Sequence, residues 1–323
     1  MLNKKIVIKN IPYAVDKINF PKLGKKRSGK VRDWYIKGNL RILIATDRVS
    51  AFDRVLGLVP FRGAVLSKLS EFWFEVTRDI VPNHMIGVID PNVMLVSECI
   101  ALPVEVIVRG YITGVTETSL WKKYSEGERI IYGIKFPDGL VKNQKLARPV
   151  ITPTTRATGV GGHDEPITAK DIIKKKLVNA NIWRQIEKVA IQLFERGTKL
   201  AEKNGFILAD TKYEFGLDRA GKLILIDEIH TPDSSRLWLK KTYRQRFRSG
   251  QEVENYDKEI MRLWFSQQGF TGRGKPPKMP DALVAKITMR YIEVYEMLTG
   301  EKFEINLSVT PKQRIAESLS KLI

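Results

Sequence analysis

Alternation of apolar and polar positions dominates the first hundred residues. VRDWYIKG and LRILIATDR flank Gly38-Asn39, a pairing that predicts a β-hairpin. Helical spacing takes over in SKLSEFWFEVTRDI, and VMLVSECIALPVEVIVRGYITG then gives two β-rich apolar runs around Pro103. From Tyr124 to Pro166 the periodicity fades into Gly, Pro, Lys and Thr, including PVITPTTRATGVGGHDEPIT. A long irregular segment inside a compact protein is usually functional or disordered. Two helices should follow: TAKDIIKKKL, capped by Thr168, and IWRQIEKVAIQLFERGTKLAEKNG, whose apolar face carries Ile186, Val189, Ala190, Leu193 and Leu200. Asn204-Gly205 is the stop signal of the second. Strands return at FILADTKYEFGL and KLILIDEIH. The tail is helical, with Asp281 capping ALVAKITMRYIEVYEML and Leu283, Ile287, Tyr291, Val294 and Leu298 on one side. The pattern predicts an α+β fold in two joined domains, a small β-rich one over 1–106 and a larger α+β one over 107–323.

The run IDEIHTPDSSRLW (226–238) breaks the pattern, because a core strand normally excludes unpaired charge. Taking 206–217 and 222–230 as antiparallel strands joined by Asp218-Arg219-Ala220-Gly221 pairs Leu217 with Lys222 and, counting back, Lys212 with Asp227. Alternation then puts Asp210, Lys212, Glu214 and Asp227 on one face and sends Glu228 to the other. Like charges about 4 Å apart repel by roughly 4 kcal/mol at an effective dielectric near 20, so one lysine compensates three carboxylates poorly. A divalent cation would resolve the cluster, and Mg²⁺ favours a few carboxylates plus phosphate oxygens, which points to a nucleoside triphosphate. The same pattern is compatible with a solvent-facing strand pair of alternating charge, and a one-residue slip would move Asp227 away.

Composition narrows the classes. At 323 residues with 43% hydrophobic and 28% charged, the chain can bury a large core and is not of disordered type. No run reaches the length of a membrane span and MLNKKIVIKN lacks an apolar signal core, so the expected location is cytoplasmic. The single cysteine, Cys99, sits in an apolar run and reads as a small core residue. A net charge of +19 implies anionic partners, but no helix-turn-helix, zinc-finger or RRM signature accompanies it. Small phosphorylated substrates would explain part of the excess; a basic solvated surface is the competing reading.

Other stretches carry weaker signals. Gly24 to Lys30 fits G-x-x-x-x-G-K, yet Val31 stands where a P-loop needs a hydroxyl, and the pattern predicts a strand after it instead of a helix. A basic glycine loop entering a hairpin can still cover phosphates, which keeps Lys30 and Arg32 as candidates. TPDSSRLW supplies hydroxyls, turn N–H groups and Arg236, suited to bidentate phosphate or carboxylate recognition; on pattern alone Arg236 could instead pair with Asp233. GGHDEPIT places His163, Asp164 and Glu165 in a glycine-rich loop, and three histidines without a cysteine cluster argue against zinc.

Together, GKVRDWY (29–35), ATDRVSAFD (45–53), LPVEVIVRGYITG (102–114), ADTKYEFG (209–216) and LIDEIHTPDSSRLW (225–238) resemble the SAICAR synthetase family. The resemblance implies an ATP-dependent ligase that joins carboxyaminoimidazole ribonucleotide (CAIR) to L-aspartate, giving SAICAR, ADP and phosphate through an acyl phosphate. It also implies an ATP-grasp-like architecture, distantly kinase-like, with ATP between a small and a larger domain. By motif, Lys30, Arg32, Glu105, Lys212 and Glu214 would contact the nucleotide; Asp210, Asp227 and Glu214 would hold Mg²⁺; and Lys212, Asp210 and Asp227 would form the catalytic set. Arg109, Thr113, Arg236 and Arg248 would bind the ribonucleotide, with Ser50, Asp53 and the HDE loop at the substrate and aspartate end. The family reads R-G-Y-x-T-G-S, whose serine contacts substrate phosphate, whereas Val115 follows Gly114 here and leaves Thr113 or Thr116 as the substitute hydroxyl. Expected partners are therefore small molecules, with no nucleic acid and no membrane, and homo-oligomerisation is left open. A small-molecule phosphotransferase of related fold is the alternative; it would not require aspartate.

Overall fold

A computed structural model describes residues 2–156 and 164–323. The N-terminal hairpin forms with Lys37 opposite Leu40 and Ile36 opposite Arg41, so Gly38-Asn39 is the whole loop. It sits inside a five-stranded antiparallel sheet whose order is Arg27–Ser28, Arg32–Lys37, Leu40–Ala45, Val93–Ser97 and Met85–Asp90. Tyr35, Ile42, Ile44 and Val93 on its inner face pack against Ile315 and Leu319 of the last helix, Pro311–Ser320. Burying such side chains stabilises by about 1.5–3 kcal/mol each, which ties the C-terminus back to the N-terminal sheet.

The second sheet runs Gln144–Ile151, Ile100–Ile112, Phe206–Leu217 and then Leu223–Ile226. The expected junction at 106/107 falls inside the unbroken strand Ile100–Ile112. The sheets instead part at Glu98-Cys99, between Ser97 and Ile100. One core nonetheless serves both parts: Val65, Leu69 and Trp73 of helix Arg62–Val76 share a cluster with Phe206, Leu208, Tyr213, Ile287 and Tyr291.

Helix Ala180–Lys203 lays Trp183, Ile186, Ala190, Leu193 and Phe194 on the sheet and stops at Asn204-Gly205. Thr168 caps Ala169–Lys174 through Asp171 N, as its sequence signals. Asp281 does not cap the long terminal helix; Pro280 holds the cap position and Asp281 is the first helical residue of Asp281–Thr299. Within helix Ala180–Lys203, Gly197 has no Cβ because His230 fills the space: a Cβ there would lie 2.4 Å from the imidazole Cε1. That close approach seats the end of the IDEIH segment beneath the helix.

Far from closing as a simple hairpin, the edge of Phe206–Leu217 is divided between two strands. Leu223–Ile226 pairs with Glu214–Leu217, and Ser235–Leu239 pairs with 206–211. Residues 227–234 leave the sheet between them, beside Lys212, and Ser234 O accepts the Lys212 N–H at 2.8 Å. The functional segment is thus a loop pinned at both ends by strands.

Candidate functional site

The expected register is off by one residue. Leu217 faces Leu223, because the turn is one residue longer and Asp218 Oδ1 accepts from both Ala220 N and Lys222 N. Continued extension would have sent Asp227 to the far face. Instead the strand stops at Ile226 and Asp227 adopts φ +69°, returning its carboxylate to Lys212, with Oδ2 at 3.4 Å from Nζ.

Three carboxylates do converge on Lys212, but the third is Glu105 and not Asp210. Lys212 Nζ donates to Glu105 Oε1 at 3.0 Å and pairs with Glu214. Glu105 lies opposite Glu214 on the neighbouring strand, so the sheet register brings them together. Burial alone would push Lys212 down, yet Glu105 and Glu214 hold it above the ordinary lysine value. Burial pushes Glu105 up, and Lys212 only partly offsets it. For Glu214 the burial effect is overcome by Lys212 and Arg156, which hold it low.

Asp210 belongs to a different constellation. Its strand position faces Arg109 on one side and Arg236 on the other, and Oδ2 accepts from both guanidinia, at 3.0 and 2.6 Å. Burial opposes ionisation here, but Arg236 and Arg109 hold the carboxyl below its usual range. Arg236 therefore pairs with Asp210, not with Asp233. Gly114 makes this possible: with φ +92°, it leaves room that a Cβ, 2.8 Å from Arg236 Nη2, would remove.

These groups line two adjoining cavities. The larger, about 560 Å³, lies between the sheets and carries Lys30, Arg32, Ser50 and Asp53 at one side, Glu105, Lys212, Glu214 and Asp227 on its floor, and Trp34, Leu43, Ala101 and Ile226 as its apolar part. Cys99 lines it too, half-buried, and is not a core residue. Lys30 and Asp53 form a rim ion pair at 2.6 Å. Arg32 pairs with Asp227 and, at 3.2 Å, with Glu228. Glu228, without a role from alternation, also accepts the Thr231 hydroxyl at 2.9 Å and so braces the turn.

The smaller cavity, about 200 Å³, is lined by Arg109, Arg236 and Arg262 with Thr116, Thr118, Ser234 and Ser235. Thr113 is not among them: it is buried and donates to Asn143 Oδ1 at 2.6 Å, whereas Thr116, half-buried, lines the cavity with the arginines. Arg248 is exposed at the end of helix Lys240–Arg248 and lines neither cavity. In its stead come Arg262 and Lys258, which sequence reasoning missed because they follow an irregular stretch with no motif quoted for it. His163 lies outside the described residues; Asp164 lines both cavities. Among the described residues no group of three His, Cys, Asp or Glu side chains is gathered to hold a metal, because arginines and lysines interleave the carboxylates. No helix of the described residues is long and apolar enough to cross a membrane.

The two cavities share a wall of carboxylates and lysines. The family model described as SAICAR synthetase matches residues 25–278. Phosphoribosylaminoimidazole-succinocarboxamide synthase of Legionella pneumophila (strain Lens) is 49% identical over 294 residues, covering 91% of this chain and 93% of that one. The chloroplastic synthase of Arabidopsis thaliana is 44% identical over 305 residues, 94% of this chain and 74% of its own. Among solved structures, SAICAR-synthase from Saccharomyces cerevisiae complexed with SAICAR superposes with a TM-score of 0.77 at 32% identity, covering 90% of this chain and 100% of that one. A type-2 SAICAR synthetase in complex with ADP gives 0.67 at 25% identity, covering 87% and 100%. The chain belongs to the SAICAR synthetase family, ligases of de novo purine biosynthesis.

Proposed function

We propose that the larger cavity takes ATP and the smaller one the ribonucleotide CAIR, whose carboxylate meets the γ-phosphate at the common wall. The observation that carries this reading is the division of charge. The larger cavity has an apolar part fit for a base and a cationic side, Lys30 and Arg32, fit for phosphates, whereas the smaller presents three guanidinia with threonine and serine side chains around a space suited to one phosphate and sugar. Relatives solved with ADP and with SAICAR support the binding of a nucleotide and of the ribonucleotide product. The small β-rich part, residues 1 to about 98, would cover the nucleotide.

The donor set fits Mg²⁺ in part. Asp227 and Glu214 offer hard carboxylate oxygens on the floor of the nucleotide cavity, and they would hold the ion together with phosphate oxygens. Asp210, committed to two arginines, fits a ribonucleotide-positioning role better than a metal role. When bound, the ion supplies charge neutralisation at the phosphates.

The chain's own residues do the rest. Arg32 exchanges Asp227 for a phosphate, and Lys212, fixed by Glu105 and Glu214, holds positive charge at the point of transfer. The CAIR carboxylate oxygen bonds to the γ-phosphorus as ADP departs, and the amine of L-aspartate then displaces phosphate from the acyl phosphate. The test is a spectrophotometric turnover assay with ATP, Mg²⁺, CAIR and L-aspartate. Product that forms only with aspartate supports the ligase; ADP and a phosphorylated product formed without it would establish a phosphotransferase.

A further inference from the structure

Five residues line both cavities: Glu105, Asp164, Lys212, Asp233 and Lys258. Any phosphoryl group passing from a nucleotide in one to a carboxylate in the other crosses this wall. Its two cations are Lys212 and Lys258, and they are held very differently. Lys212 is bound by Glu105, Glu214 and Asp227, and although Arg156 and Arg32 also reach Glu214 and Asp227, Glu105 has no other ion pair among the described residues, so Lys212 cannot leave without stranding it.

Lys258 has one ion pair among the described residues, with Asp233 Oδ2 at 2.6 Å. That carboxylate is already served. Arg62 pairs with the same oxygen, and the Tyr291 hydroxyl donates to Oδ1 at 2.8 Å. Asp233 and Arg62 are each 1% exposed, while Lys258 keeps 13% of its side chain open. Lys258 can therefore turn away and leave Asp233 paired. Its backbone stays in place, because Lys258 N donates to Pro232 O at 3.2 Å. Burial, partly opposed by Asp233 and reinforced by Arg62, holds the ammonium below the ordinary lysine value, so an incoming anion would stabilise it.

We propose that Lys258 is the mobile cation of phosphoryl transfer: paired with Asp233 at rest, it turns into the shared opening and accompanies the phosphoryl group from nucleotide to carboxylate. This rests on the assignment of the two cavities to ATP and CAIR. In the step it serves, a bond forms between the carboxylate oxygen and the γ-phosphorus, and the bond from that phosphorus to the β,γ-bridging oxygen breaks. ADP leaves with the electron pair. No proton moves, so Lys258 acts as charge and not as an acid.

The experiment compares Lys258→Met and Lys258→Arg with the wild-type protein in the aspartate-dependent assay, with a urea melt of each. Removal of a preorganised donor at developing charge typically costs 10²–10³ in kcat, so Lys258→Met should lose about 100-fold or more. KM for ATP and for CAIR should stay within about threefold, and Lys258→Arg should recover at least about a tenth of the wild-type kcat, since charge is what the step requires. Unfolding midpoints should match, because Arg62 still serves Asp233. A Lys258→Met enzyme with kcat within about threefold of wild type would overturn the assignment, and so would a collapse of its unfolding midpoint. Absence of aspartate-dependent turnover in the wild type would instead strike at the cavity assignments, so the two failures are distinguishable.

Discussion

Replacing Asp210 by asparagine separates charge from shape at the centre of the smaller cavity. Asp210 Oδ2 accepts from Arg109 and Arg236 at 3.0 and 2.6 Å, and the residue is 4% exposed. With charge centres about 4 Å apart, each pairing is worth roughly 4 kcal/mol at an effective dielectric near 20. The net loss is smaller. Arg109 keeps Thr152 Oγ1 at 2.8 Å and Thr118 O at 3.0 Å, and asparagine keeps one polar contact. Breaking a buried pair by removing one partner costs about 3–5 kcal/mol, and these remaining contacts favour about 3. At roughly 2.1 cal/mol/K per residue, that is a fall in Tm of about 4 °C for 323 residues. The assay is a thermal melt at low salt, repeated with inorganic phosphate. Phosphate should raise Tm more in Asp210→Asn than in the wild type, because two uncompensated guanidinia then face the cavity; saturation at about 100 times Kd is worth about 2.7 kcal/mol. The sign can be checked with pH as well. A depressed carboxyl stabilises above its ordinary value and loses that contribution as pH falls through its folded value, so the wild type should lose at low pH a component the variant lacks. A variant that melts within about 1 °C of the wild type, with the same phosphate response, would show that the Asp210 charge does not hold the two guanidinia.

The other expectations follow from the same geometry. Asp227→Asn should abolish turnover at ordinary Mg²⁺ while leaving the fold intact, because asparagine tolerates the left-handed φ of +69°; unchanged activity would remove Asp227 from the site. Arg262→Ala should raise KM for CAIR by about 10- to 100-fold, the worth of a charge-assisted contact, whereas Arg248→Ala should stay within about twofold; the reverse order would restore Arg248 to the site. Burial pushes His230 down to about 3, so it folds neutral and takes up a proton on unfolding. Stability from this residue is present above about 6.5 and lost as pH falls, about 2 kcal/mol by pH 5, and His230→Gln should flatten that part of the profile between pH 7 and 5.

Much of this site was legible in the chain because alternation is a strong rule within a strand. It put Lys212 and Glu214 on one face, and their pairing in the structure follows from it. The one-residue error in the hairpin came from the turn: Asp218 binds two N–H groups and lengthens the loop by one residue, a side-chain choice that spacing alone does not reveal. Asp227 reached the same lysine through a backbone kink instead of strand register. Glu105 could be placed near the nucleotide by resemblance, but its contact with Lys212 spans 107 positions and depends on the sheet order. Asp210 was misread for a related reason, since its partners arrive on two neighbouring strands whose registers no local pattern specifies. Lys258 and Arg262 follow an irregular stretch and carry no periodic signal, while the basic helix holding Arg248 offered more arginines in view.

On the proposed path a phosphoryl group crosses from the nucleotide cavity to a carboxylate in the adjoining one before the amine of aspartate attacks. Carrying out turnover with CAIR labelled by ¹⁸O in both carboxylate oxygens tests it most directly, with mass analysis of the inorganic phosphate released. Through an acyl phosphate, the attacking carboxylate oxygen leaves with phosphorus, so each phosphate should carry one ¹⁸O. Phosphate containing only unlabelled oxygen, with SAICAR formed at the normal rate, would rule out the acyl phosphate.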